Sequence, residues 1–412
     1  MSDLLPVNIQ TLLIESLADM APMVLAKDHP FLDRIKKERR GGTAAHIPII
    51  TGYGGGKGTD FATSLANAQS GVVTDAAYDV KPAILYGHTT LNWSTARYTK
   101  DKDASPLDIA TIATKGAMEN AVDNFMSAAV FSDGSGALAT VSAVNNVSGS
   151  VWDITLTNLT DVAKFAPNDV LQQATTGGSL DAGTAVVNGL NQIGGSIRVT
   201  VSGMTPTVGH VLGIQSQLFS GQNFGGIFGF IPPTSARTNG VPNVSPFNGC
   251  VRDATSAGVA VSGWAFDLTG QPLFYGFNTV AGAMSNYKNA KPRLLIVNGA
   301  DMPKLAQELD QKVRFDMPSK SGMADVLYSG FDINLTTGPC EVMAEVACPA
   351  GTAVLCNPDQ WYFDGPESPF GPASAGQIMV QNYATNDARF SVECSGFFYT
   401  NNPPATAVLK LY

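Results

Sequence analysis

The clearest helical spacing in the chain runs from Pro106 to Phe131, in PLDIATIATKGAMENAVDNFMSAAVF. Ser105 is placed to cap it, Pro106 takes the first helical position, Asp108 falls in the first turn, and SDGSG ends it. At about 1.5 Å per residue the run makes a rod of roughly 38 Å. Leu107, Met118, Val122, Phe125 and Ala129 share one face, whereas Ile109, Ile112, Ala113 and Gly116 lie on the other side of its first half. A rod whose apolar side changes along its length suits contact with two different layers; burial in one globular core is the plainer alternative.

Residues 43–95 show no helical pattern. HIPIITGYGGGKG runs into a Gly-rich tip and DVKPAILYGHTTLNWSTARYT returns as extended chain, which predicts a long two-stranded ribbon around an irregular excursion. Residues 137–213 change character: short alternating runs such as VWDITLTNLT and SIRVTVSG are separated by Gly, Asn and Ser turns, which predicts an inserted β-barrel or sandwich. GGIFGFIPP is a turn-rich re-entry. Arg293 to Val297 predicts a buried strand feeding a helix capped near Asp301, with Leu305, Leu309 and Val313 spaced by four beside Ala306. From about Tyr328 the chain is again strands. The class is α+β with excess β.

Charge sharpens the division. Residues 1–131 carry 26 charged side chains, and the 77 residues of 137–213 carry six. Charged residues are 14% of the whole against the roughly 25% of ordinary soluble domains. That fits a β-rich protein burying surface against copies of itself, or simply a large β protein with few charges. The net charge of −9 argues against a dedicated nucleic-acid binder. One basic cluster, Arg34, Lys36, Lys37, Arg39 and Arg40, reads either as a solvated helix end or as a contact with nucleic acid or an acidic partner.

Chemistry is sparse. GYGGGKGT puts Thr51 and Gly58 where a phosphate loop needs Gly and Ser/Thr, and G-x-S-x-G occurs nowhere. His29, His46, His88 and His210 are scattered, and Cys250, Cys340, Cys348, Cys356 and Cys394 are odd in number and widely spaced. Buried reduced thiols are expected, with no metal and no cofactor. Asp101 and Asp103 flank Lys102 as a solvated linker. No secretory signal and no membrane span are expected. The reading is not an enzyme.

Taken in order, HIPIITG, DVKPAILYGHTTLNWSTARYT, the run from Ser105 to Gly136, RLLIVNGADMPKLAQELDQ, and CPAGTAVLCNPDQWYF with ARFSVECSGFFYT resemble the major capsid proteins of tailed bacteriophages, whose fold is shared with encapsulins and herpesvirus capsid floors. The resemblance covers most of the chain except 137–213 and rests on element order. It implies an N-terminal arm (1–42), an extended loop (43–95), a spine helix with the peripheral domain (96–136), an inserted β domain (137–213), an axial domain (214–327), and axial and peripheral sheet strands (328–412). It further implies self-assembly into pentamers and hexamers of an icosahedral shell around double-stranded DNA, formed in the host cytoplasm. Scaffolding, portal and decoration proteins are the other implied partners, with weak non-specific contact to packaged DNA and none to membrane. Ile47, Ile49, Lys57, Ile84, Leu85, Leu91 and Trp93 are then candidates for intersubunit contact, and Arg34 to Arg40 for the inner surface. Some members cross-link a loop lysine; Lys57 lies at the loop tip, and cross-linking stays unassigned. Another virion β protein, a tail tube or receptor-binding protein, is the alternative; a carbohydrate-binding module or enzyme is the third.

Overall fold

The computed structural model describes residues 29–39, 41–53, 57–70, 73–92, 106–219, 225–231, 237–238, 241–242, 247–250, 252, 259–287, 290–310, 331–365, 370–372, 379–382 and 387–412. The chain is mixed α/β and strand-rich, and it divides into two compact units built from interleaved segments. One comprises Met1–Gly42, Pro82–Phe224 and Tyr362–Phe398; the other comprises Thr43–Lys81, Gly225–Trp361 and Tyr399–Tyr412.

In the first unit the predicted rod is an α-helix, Pro106–Phe125, that widens into a π turn over Met126–Val130. Its predicted cap, Ser105, lies outside the described residues. The end falls where the sequence placed it: Ser132 Oγ accepts from Gly134 N, and Asp133 Oδ1 accepts from Ser135 N. Met118, Val122, Phe125 and Ala129 are fully buried, together with Ala117 and Ala121. The helix lies on the strand Ala83–Asn92 at close range, because Gly87 has no side chain: a Cβ there would stand 2.2 Å from the Ala117 carbonyl oxygen. Along that strand Leu85 and Gly87 are buried, while Ile84, Tyr86, His88 and Thr90 are exposed. This is the period-two pattern of a sheet with one covered face. The strand pairs antiparallel with Asp387–Thr400 over its whole length. Asp387–Thr400 also pairs with Phe370–Pro372 and Met379–Asn382 and neighbours Trp361–Gly365, which carries Lys36–Arg39 as a parallel edge strand.

This arrangement corrects the predicted ribbon. Val73–Val80 does pair with Ala45–Tyr53, but Ala83–Asn92 belongs to the other unit's sheet. Pro82, which lacks an N–H to donate, stands at the break.

The low-charge insert is a closed six-stranded barrel, in the order Val211–Ile214, Ala139–Ser148, Val151–Leu156, Ser196–Ser202, Thr184–Asn191, Val170–Ala174. Barrel rather than sandwich is decided by Val211–Ile214, which pairs with both Ala139–Ser148 and Val170–Ala174. The interior is filled by alternate residues, among them Ile154, Leu156, Leu171, Ala185, Val187, Ile197, Val199 and Leu212. Entry and exit are adjacent: Leu138 N donates to Leu212 O at 2.8 Å.

The second unit holds a six-stranded sheet in the order Trp264–Asp267, Thr406–Lys410, Thr352–Cys356, Leu294–Val297, Gly338–Ala344, Phe331–Leu335. The predicted buried strand is one of its four interior members, with all four residues of Leu294–Val297 covered. The helices Leu273–Asn286 and Met302–Asp310 share a core with it through Phe277, Val280, Met284, Met302 and Leu305. Asp301 does not cap by its side chain: Oδ2 accepts from Gly351 N at 2.7 Å, and Oδ1 accepts from the Tyr412 hydroxyl. Val313 lies outside the described residues. All five cysteines are buried and none forms a disulfide.

Candidate assembly surfaces

The ribbon in the second unit is rooted in its own core. Ala45, Ile47, Ile49, Tyr78 and Val80 are buried, each two residues from the next along its strand. Tyr78 stands edge-on to Phe230 with centroids 5.0 Å apart and donates its hydroxyl to Val261 O. Burial pushes the Tyr78 phenol well above its ordinary pKa. Ile47 and Ile49 therefore present no surface to a neighbour, and neither does Leu85, buried in the first unit. Ile84 keeps half its surface exposed. The side chain of Leu91 and the whole of Trp93 lie outside the described residues.

Exposed apolar side chains are spread over both units, Ile193, Leu159, Val208 and Tyr275 among them, and two lie where the sequence showed only irregular chain. Residues 61–70 form a helix between the ribbon's two strands. Asp60 caps it, with Oδ2 accepting from Thr63 N at 2.8 Å and from Thr63 Oγ1 at 2.8 Å. Those two bonds hold the Asp60 carboxyl below the usual range, the backbone one most. Phe61 and Leu65, four apart on one side, are 79% and 46% exposed, and Lys57 just before the helix is exposed too. The signal was present: an Asx cap followed by an i, i+4 apolar pair. Gly52, Gly54, Gly55, Gly56 and Gly58 beside it drew the reading toward loop.

The basic cluster is not a helix end. Only Arg34 is helical, at the close of the five-residue turn Pro30–Arg34; Ile35 is extended, and Lys36–Arg39 is the edge strand. Lys36, Lys37 and Glu38 are exposed, with Lys37 Nζ 3.9 Å from Asp33 and Lys36 Nζ 5.3 Å from the centre of the Tyr362 ring. The Arg39 side chain and Arg40 lie outside the described residues. Charged side chains on an edge strand also discourage unwanted strand pairing.

Each histidine meets an acid or a hydroxyl. His29 Nε2 meets Asp123 at 2.9 Å, His46 Nδ1 meets Asp79 at 2.7 Å, and His88 Nδ1 meets Ser391 Oγ at 2.8 Å. His210 Nδ1 meets Asp181 Oδ2 at 2.7 Å, and Gln173 Nε2 donates to the same oxygen. Among the described residues no group of His, Cys, Asp and Glu is arranged to hold a metal ion, and no helix is long and apolar enough to cross a membrane.

No protein-family model and no curated sequence matches the chain. The fold is similar to solved phage structures along nearly its whole length. The capsid asymmetric unit of cyanophage A-1(L) is 11% identical, covering 93% of each chain, with a TM-score of 0.46. A chain of the satellite phage P4 procapsid that includes the size-determination protein is 10% identical, over all of this chain and 92% of its own, with a TM-score of 0.41. A structure from Gordonia phage Cozz is 12% identical, over 93% of this chain and 87% of its own, with a TM-score of 0.41. At such identities no residue's role passes from them to this chain.

Proposed function

We propose that this chain is the structural subunit of an icosahedral phage capsid, closing into pentamers and hexamers around double-stranded DNA in the host cytoplasm. The carrying observation is the helix Phe61–Ser70. It lies in the chain between two strands that, among the described residues, pair only with each other, and it holds a large aromatic and a leucine in water. The ribbon's root is packed into the unit's own core, whereas the apolar pair beyond it is kept exposed, as on a surface that takes a partner. A second copy is that partner, because a repeated heterologous contact closes rings from one kind of subunit. In this reading Phe61, Leu65, Lys57 and Ile84 face neighbours, and the edge strand with Lys36 and Lys37 faces the interior, where it touches DNA weakly or meets a scaffolding protein. Portal and decoration proteins complete the particle.

Negative-stain microscopy of the purified protein is the test. Closed shells are expected. Open tubes would point to a tail protein, and a strict monomer at high concentration in moderate salt would refute assembly.

A further inference from the structure

A cleft of about 590 Å³ opens in the first unit among three elements. It is lined by Tyr86, Gly87, His88, Thr89 and Thr90 of the strand Ala83–Asn92, by Asn120, Asp123 and Asn124 of the long helix, and by Ala163–Val170 and Gln215 of the barrel. Its size is in the range of ligand clefts, roughly 300–1,000 Å³.

The strand's contribution is the informative part. Side chains alternate across a sheet, so a cleft lying over one face would be lined by every second residue. Five consecutive residues line this one, which places it along the strand's edge. That edge is open: Ala83–Asn92 pairs with Asp387–Thr400, and among the described residues no strand pairs with its other side. Five residues at about 3.3 Å each offer roughly 16 Å of backbone.

The charge left in the cleft is negative. Lys164 Nζ is held by Asp161 at 2.9 Å and by the Leu138 carbonyl at 3.0 Å. His88 is kept toward its neutral form by the partial burial of its ring and by Arg389. On the paired strand Arg389 stands across from Thr90 and Glu393 across from Tyr86, one of each sign. Asp123 keeps 65% of its side chain exposed although His29 holds Oδ1. Asp169, with Oδ2 bonded to Ala166 N, has its carboxyl pushed up by burial, which an approaching cation would relieve.

We infer that this cleft binds an extended, cationic peptide segment of a partner protein, which adds as a strand to the open edge at Tyr86–Thr90 and sets a Lys or Arg against Asp123 and Asp169. Main-chain hydrogen bonds supply the affinity in this mode of recognition, and flanking pockets supply the selectivity. The inference concerns the single subunit and stands whether or not the chain forms shells.

The test pans the full chain against a library of random dodecapeptides. Enriched peptides should be rich in Lys and Arg and should slow hydrogen exchange at Tyr86–Thr90. Methylating alternate backbone nitrogens of a binder should abolish binding in one register and spare it in the other. Asn120→Trp, on the exposed face of the helix, should fill the cleft and remove binding. Asn124→Lys, a milder change, should weaken it about tenfold by setting like charge against the peptide. No enrichment, protection mapping elsewhere, indifference to N-methylation, or full affinity in Asn124→Lys would each overturn the inference.

Discussion

Gly87→Ala tests how the long helix is seated on its sheet. The added Cβ would stand 2.2 Å from Ala117 O, 2.5 Å from Ala121 N and 2.7 Å from the Ala121 Cβ. Two of the three are backbone atoms of the helix, so no side chain can rotate away. Restoring an ordinary contact of 3.4 Å moves the helix out by the difference between 3.4 and 2.2, which is 1.2 Å. A gap approaching 1 Å already forfeits a quarter to a half of each dispersion contact along the interface. Overpacking a tight core costs about 1–3 kcal/mol, and backbone on the receiving side puts this case at the upper end, about 3 kcal/mol. In a folding unit of 150–250 residues that lowers the melting temperature by roughly 6–12 °C. Calorimetry of the full chain reads the shift, and hydrogen exchange at Lys115–Phe125 shows whether the loss sits in the helix. Gly189→Ala is the control: it lies in the same unit, with nothing within 4 Å of its added Cβ. A melting temperature within 1 °C of the parent's for Gly87→Ala would refute the close seating of helix on strand.

Phe61→Ser with Leu65→Ser should stop assembly, read by sedimentation, while subunit stability stays within about 0.5 kcal/mol, because both side chains are solvent-exposed. Replacing 137–213 with a short Gly/Ser bridge should leave the remainder folded, because entry and exit are hydrogen-bonded neighbours; loss of all secondary structure in circular dichroism would contradict this. Asp181 is held below the usual carboxylate range, first by Gln173 and then by His210. Its folded value is depressed, so its contribution is present above about pH 3.9 and fades as the pH falls through the folded value. Asp181→Asn should flatten that acid decline in a pH series of melts. Burial pushes the Cys340 thiol up to about 12 and raises Cys250, Cys356 and Cys394. An aromatic disulfide reagent at pH 8 should therefore react with the denatured chain and barely with the native one.

The parts legible in the sequence were those where one periodicity dominates. The helix from Pro106, the strand at Leu294 and the alternating insert each bury one consistent face, and the pattern of apolar residues records it. The helix Leu273–Asn286 had the same signature, with Leu273, Phe277, Val280, Ala281 and Met284 buried, but Gly276 and Gly282 diluted it. Gly276 is there for packing, since a Cβ would come within 2.7 Å of Leu268. The helix-end reading of the basic run fails for a related reason. Lys and Arg are good helix formers, and only pairing with Trp361–Gly365, more than 300 residues away, makes Lys36–Arg39 a strand.

Local pattern also cannot tell whose core an apolar residue joins. Ile47, Ile49 and Leu85 look like Ile84 and Phe61 in sequence, yet the first three are buried within the chain and the last two are not. The difference lies in partners far along the chain: Phe230, Phe247 and Val261 surround Tyr78 at the ribbon's root, and Ala117 and Ala121 close over Gly87 beside Leu85. Assembly surface is what remains after such internal contacts are made, so it follows from the tertiary structure and not from apolar content. By that criterion the contact candidates move outward along the ribbon, from its isoleucines to the helix at its end. An alanine scan distinguishes the two sets. Ile47→Ala and Ile49→Ala should each cost about 2–5 kcal/mol of subunit stability as buried large-to-small changes, and Phe61→Ala almost none. Phe61→Ala alone should raise the concentration needed for assembly, and a scan in which Ile47→Ala slows assembly without destabilising the subunit would return the interface to the ribbon's root.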